Sequence, residues 1–239
     1  MPSDLVSATS SFVSRRSLLA GIGASGALAL SGCTSLGGLG GFSLTDAIRR
    51  VLLLSSERAF ARLTGDGGFW DQQVARIGFD DLLGARGNVL AGILTSNVVK
   101  QRLEDSFADI AIDASARAAP VVTDVVRTIG IDNAVALVRG GPTASAATQF
   151  LREEMGDTLI DVLAPDIGSA LRLARDPIVG QALAALTGVD IPRVERTFSE
   201  AVNDAIFQEI AREERAIRAN PSATNDPVII GVLGANAAL

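Results

Sequence analysis

Residues 192–219 read Pro192-Arg-Val-Glu-Arg-Thr-Phe-Ser-Glu-Ala-Val-Asn-Asp-Ala-Ile-Phe-Gln-Glu-Ile-Ala-Arg-Glu-Glu-Arg-Ala-Ile-Arg-Ala219. Phe198, Val202, Ile206, Ile210 and Ile217 recur at near-helical spacing, which places them on one face of a long amphipathic helix. Asn220-Pro221 should end it, because proline lacks the amide donor and clashes with the turn behind it. Upstream, the chain continues as helix after helix broken by Gly and Pro. Ser43 is placed to cap a helix carrying Ile48, Leu52, Ser55, Ala59 and Leu63, with Asp46 in its acidic first turn. A turn is expected at Gly65-Asp66-Gly67-Gly68 before Phe69-Trp70, then a weak helix near 80–94 and a long one near 97–118 that Pro120 kinks or restarts. That long helix takes Val98, Leu103, Phe107 and Ile110 as its apolar points.

Further along, Asp132 is expected to cap a short helix that Gly140-Gly141-Pro142 stops, and Thr143 to open one carrying Ala147, Phe150, Leu151, Leu159 and Leu163. Asp176-Pro177 and Asp226-Pro227 each pair a capping carboxylate with proline at the first helical position. No stretch alternates at period two over the length of a strand. The expected fold is all-α, an irregular bundle of about seven to nine helices over residues 44–239. No repeat of solenoid length interrupts it.

Composition narrows the chemistry. The 239 residues hold 21 basic and 27 acidic side chains, a single cysteine, and neither histidine nor tyrosine. An intramolecular disulfide, a Cys/His zinc site and any imidazole base are thereby excluded. The acidic balance lacks the global footprint of a nucleic-acid binder, so no nucleic-acid partner is expected.

The N-terminus reads as an address. Ser14-Arg15-Arg16-Ser17-Leu18-Leu19 begins an apolar run to Leu30, followed by Ser31-Gly32-Cys33. Leu18–Leu30 is thirteen residues, against about 20 for a membrane span. It therefore suits a signal peptide over residues 1–32, with Arg15 and Arg16 read as a twin-arginine export signal and the positive n-region of an ordinary secretory signal as the alternative. Leu30-Ser31-Gly32-Cys33 resembles a lipobox: small residues admit the peptidase, and the Cys33 thiol accepts the diacylglyceryl group. Two or more acyl chains hold stably, since each buried methylene contributes about 0.8 kcal/mol. Thr34 stands where an aspartate would favour inner-membrane retention, so the expected destination is the periplasmic side of the outer membrane. Processing leaves 19 basic and 26 acidic residues, a net charge of −7. Residues 33–43 form the lipidated cysteine and a Gly-rich tether with a root-mean-square reach of roughly 16–19 Å.

Other motifs carry less. Gly21-Ile22-Gly23-Ala24-Ser25-Gly26 matches a dinucleotide fingerprint but has no strand before it and lies within the expected signal peptide. Two acidic ladders, Asp105/Asp109/Asp113 and Glu153/Asp157/Asp161, could gather round a hard cation or simply face solvent beside Arg102, Arg117 and Arg152. Without a calcium-loop spacing, neither is assigned a metal. Asp80-Asp81, Glu153-Glu154 and Glu213-Glu214 are carboxylate pairs in sequence, but neighbours on a helix point about 100° apart. No G-x-S-x-G elbow is present, no motif supports Lys100 as a base, and no catalytic residue or cofactor is assigned. The apolar run Val228–Leu233 is too short to span and is expected to pack back as a short helix.

Several ordered motifs together resemble the bacterial domain of unknown function 4197 family. They are Phe69-Trp70 with Ile77, Ala118-Ala119-Pro120, Ile131-Asp132-Asn133-Ala134, Gly140-Gly141-Pro142 with Ala146 to Arg152, and Ala211 to Pro221. The resemblance covers about Leu44 to Gly234, and Glu213-Glu214-x-x-Ile217-Arg218-x-Asn220-Pro221 is its most specific block. It implies a mostly helical exported domain, often behind a lipobox, and brings no catalytic residues. The chain departs from the family pattern at Glu153-Glu154 and Ile230-Gly231-Val232-Leu233, where basic residues are usual, and is about one turn short after Pro120. Glu213, Glu214 and Arg218 are the candidate recognition residues, set against a plain helix-terminating role for the same motif. The expectation is a lipid-anchored module that binds a protein or envelope component without catalysis. A carrier of a hydrophobic small molecule and a carboxylate-dependent hydrolase are the alternatives.

Overall fold

A computed structural model describes residues 43–65, 68–77, 97–141, 143–172 and 190–236. The export signal, Cys33, most of the tether, the expected helix near 80–94, Asp80-Asp81 and Asp176-Pro177 lie outside the described residues. Within them the protein is an all-α multi-helix bundle: α1 Leu44–Leu63, α2 Phe69–Ile77, α3 Asn97–Thr128, α4 Ala134–Val138, α5 Ala146–Met155, α6 Thr158–Arg172, α7 Ile191–Ala219 and α8 Pro227–Asn236. A 3-10 turn, Pro221–Thr224, joins the last two.

Four long helices close a ring in which α1 packs on α7, α7 on α6, α6 on α3 and α3 back on α1. The expected apolar faces supply its interior. Ile48, Leu52, Ser55, Ala59 and Leu63 of α1 are buried, as are Phe198, Val202, Ile206, Ile210 and Ile217 of α7. Phe107 of α3 meets Phe198 of α7 edge to face, with ring centroids 4.9 Å apart, a geometry that suits the aromatic quadrupole. Buried Ser55 and Ser115 donate to carbonyls one turn back in their own helices, at 2.7 and 2.8 Å, so both hydroxyls are satisfied locally. Around the ring, α2 packs on α3, α4 and α8 on α1, and α5 on α7.

Several boundaries differ from the sequence expectation. Pro120 does not restart the chain in a new element: α3 runs through it as one 32-residue helix. Pro120 and Ala116, whose carbonyl loses its amide partner, both face solvent, where water can take the freed acceptor. Val98 is not a core point but 62% exposed. The short helix α4 is entered from Asn133 rather than capped by Asp132, and Asn133 contributes no side-chain cap bond. The helix expected from Thr143 begins at Ala146 and is divided at Gly156, whose φ of +50° is a left-handed conformation that favours glycine. That break separates Glu153 on α5 from Asp161 on α6, so the second acidic ladder does not lie on one helix.

The caps at either end of the chain follow the sequence closely. Ser43 Oγ accepts from Asp46 N at 3.0 Å. Asp226 Oδ1 accepts from Val228 N and Ile229 N at 2.8 and 3.2 Å, and its Oδ2 accepts from Arg50 Nη1 at 2.8 Å. Burial pushes the Asp226 carboxyl up, but the Arg50 hydrogen bond and the two backbone donors together outweigh it and hold its pKa below 3.8. A lowered folded-state pKa gives stability that is complete above the unfolded value and is lost as pH falls through the folded one. Asp226→Ala should therefore cost about 1 kcal/mol at pH 7. In urea unfolding compared at neutral and acid pH, the gap to the parent should shrink as pH drops below 3.8.

Candidate functional site

The motifs at Leu137–Val138, Ala147–Thr148 and Glu214–Arg218 meet at one buried point. Glu214 and Arg218 lie one turn apart on α7, with side chains 0% and 2% exposed and a closest N···O distance of 2.7 Å. Each also serves the end of another helix. Glu214 Oε1 accepts from Ala147 N at 3.1 Å, and Oε2 accepts from Thr148 N at 2.7 Å and Thr148 Oγ1 at 2.6 Å. Ala147 and Thr148 occupy the second and third positions of α5, whose amides have no partner within the helix, and Ser145 makes no side-chain cap bond. Glu214 thus caps α5 from a different element, with its negative charge at the positive end of the helix dipole.

Arg218 does the converse. Its Nε donates to Glu214 Oε1 at 2.8 Å, while Nη2 and Nη1 donate to the carbonyls of Leu137 and Val138 at 2.8 and 3.3 Å. Those carbonyls close α4, so the guanidinium sits at the negative end of its dipole. An ion pair out of water is stabilising only when its remaining donors and acceptors are filled. Here two helix ends fill them.

The turn between α4 and α5 is shaped to bring both ends to this pair. Gly141 has φ +73°, and a Cβ on Gly140 would stand 2.8 Å from Ala144 Cβ. The two glycines are thus required for different reasons, one conformational and one steric. Glu213, the neighbour of Glu214, points elsewhere. It pairs with Arg212 at 2.6 Å, and Arg212 also pairs with Glu209 at 2.9 Å, which in turn faces Arg62 at 3.3 Å. Of the three sequence candidates, Glu214 and Arg218 come together and turn inward, while Glu213 joins this half-buried network of alternating charge. Cys33, Arg15 and Arg16 lie outside the described residues.

Thr148, Leu137 and Val138 were not among the sequence candidates. The sequence held no signal for them: Asn133 and Ser145 are favoured N-cap types, and only the structure shows that neither side chain caps its helix. Elsewhere, Asp105, Asp109 and Asp113 lie exposed on one face of α3, and Arg117 pairs with Asp166 of α6 at 2.8 Å rather than with Asp113. Among the described residues, no group of three or more acidic or cysteine side chains is placed to hold a metal ion. No helix among them is long and apolar enough to cross a membrane. A surface recess of about 380 Å³ lies against α1, lined by Asp46, Arg49, Arg50 and Leu53.

Fold and site together define an all-helical bundle whose most specific polar motif is a buried clamp between helix ends. The chain belongs to the family described as protein of unknown function (DUF4197), whose model matches residues 38–234. No curated protein and no solved structure matches it.

Removing one partner of a buried pair strands the other charge, at a cost of about 3–5 kcal/mol. Arg218→Met should lose stability on that scale in urea unfolding. Arg218→Lys should recover only part of it, because an ammonium cannot reproduce the forked contact with Glu214 and two carbonyls. If Arg218→Met unfolds at the parent's urea midpoint, the clamp does not hold the bundle.

Proposed function

We propose that this protein is a lipid-anchored periplasmic module that binds a protein or another envelope component without chemistry of its own. In this reading Arg15 and Arg16 direct export by the twin-arginine route, and Cys33 carries the acyl chains. Residues 34–43 then hold the bundle near the outer membrane. The observation that carries the non-catalytic part is the inward commitment of Glu214 and Arg218. These two residues spend their hydrogen bonds on each other and on two helix ends, where a catalytic acid or base would need to face a substrate.

The sequence carries the anchoring part. Cys33 is the only cysteine, it follows Leu30-Ser31-Gly32, and the first helix cap is Ser43. A bundle starting ten residues after an acylated cysteine is held close to the bilayer without being embedded in it. Among the described residues, three of the four side chains that line the recess on α1 are charged, which favours a polar partner over the hydrophobic cargo of a carrier.

Cys33→Ala should move the protein from the membrane pellet to the soluble fraction. Parent-like retention through a sodium carbonate wash would refute the anchor. Replacing Arg15 and Arg16 with Lys should leave precursor in the cytoplasm. Unimpaired export of that variant would instead assign the general secretory route. Crosslinking in cells, followed by identification of attached proteins and extracted lipids, tests the binding role directly.

A further inference from the structure

The recess against α1 is built around an arginine that the fold holds rigid. Arg49 Nε and Nη2 donate to the carbonyls of Val126 and Ile129 at 3.3 and 3.1 Å, where α3 ends. This leaves Nη1 facing Asp46 Oδ1 at 3.9 Å, too long for a direct hydrogen bond. Arg50, one residue on, uses Nη1 for Asp226, and half of its side chain stays exposed. The Asp226 carboxylate is itself occupied by Arg50 and by the first amides of α8. Leu53, one turn further along α1, adds an apolar wall.

Among the described residues the lining therefore offers Nη1 of Arg49, the exposed part of the Arg50 guanidinium, the exposed Asp46 carboxylate in a loose pair with Arg49, and one apolar side chain in about 380 Å³. Guanidinium groups suit phosphate oxygens, and a carboxylate suits an ammonium. A ligand matching all three carries a phosphate, an ammonium a short reach away, and a hydrocarbon portion. That is the chemistry of an aminoethyl phosphate, the headgroup of an ethanolamine phospholipid. The recess lies within the first three turns of α1, directly after the tether, so acylation at Cys33 would bring it to headgroups.

We propose that this recess binds the headgroup of an ethanolamine phospholipid, with phosphate on Arg49 and Arg50, ammonium on Asp46 and the glycerol side along Leu53. The inference rests on the anchored reading above, since the anchor supplies the lipid surface. Its effect would be to fix the orientation of the bundle on the membrane, which a flexible tether alone cannot do.

The test uses the purified full chain and soluble probes, so its outcome does not depend on Cys33. Calorimetric titration should show saturable binding of glycerophosphoethanolamine at least tenfold tighter than of glycerophosphoglycerol or inorganic phosphate. Asp46→Asn should erase that preference while leaving weak binding of the anions, and Arg50→Gln should lose at least tenfold for all three probes. Asp46 is exposed and outside the core, so its variant keeps the inference falsifiable if Arg50→Gln fails to fold. Equal affinity for phosphate and glycerophosphoethanolamine, or no saturable binding, would overturn the headgroup assignment. Headgroup binding in a protein whose Cys33→Ala variant still pellets with membranes after a sodium carbonate wash would overturn the anchor alone.

Discussion

One carboxylate and one guanidinium, four residues apart on α7, hold together parts of the chain that local sequence cannot. Glu214 reaches back 67 residues to the start of α5, and Arg218 reaches back 81 to the end of α4. Neither short helix has a side-chain cap of its own, and five- and ten-residue helices are marginal without tertiary support. The ion pair in turn needs those helices, because its desolvation is offset only when amides and carbonyls complete its coordination. Each half makes the other tenable. The glycine pair at 140–141 follows as the geometric condition for bringing both helix ends to one point.

The readable parts of this fold are those whose physics is local. The buried faces of α1 and α7 follow from spacing alone, because a helix must turn its apolar stripe inward. Ser43 and Asp226 act as caps on their own helices, and both are placed correctly by residue type and position. The misplaced boundaries all involve a competing influence that local patterns do not display. Pro120 sits within a helix because the side it disrupts faces water. The continuous helix expected beyond Thr143 fails at Gly156, which takes a left-handed conformation that spacing of the flanking apolar residues does not announce. Glu214 and Arg218 are legible as an i,i+4 pair in the last turns of a helix, and that reading points to their own helix end. Their actual partners are two other helix ends, which only the tertiary arrangement supplies.

This bears on how function is distributed over the molecule. Within the motif most specific to the family, Glu214 and Arg218 are committed to assembling the bundle, so in the reading proposed above the surfaces that meet a partner lie elsewhere. The first turns of α1 stand out, because there Arg49 is fixed by the end of α3 and Arg50 by Asp226 at the start of α8. They also follow the tether in sequence. The protein has an inward polar centre that sets its architecture and an outward polar recess on the first turns of α1.

Amide hydrogen exchange at the beginning of α5 tests the clamp most directly. First-turn amides of a helix ordinarily have no intrahelical acceptor and exchange quickly. If Glu214 caps α5 as described, the amides of Ala147 and Thr148 exchange as slowly as those of the buried centre of α7. Exchange at those two positions as fast as at an exposed helix start would contradict the account.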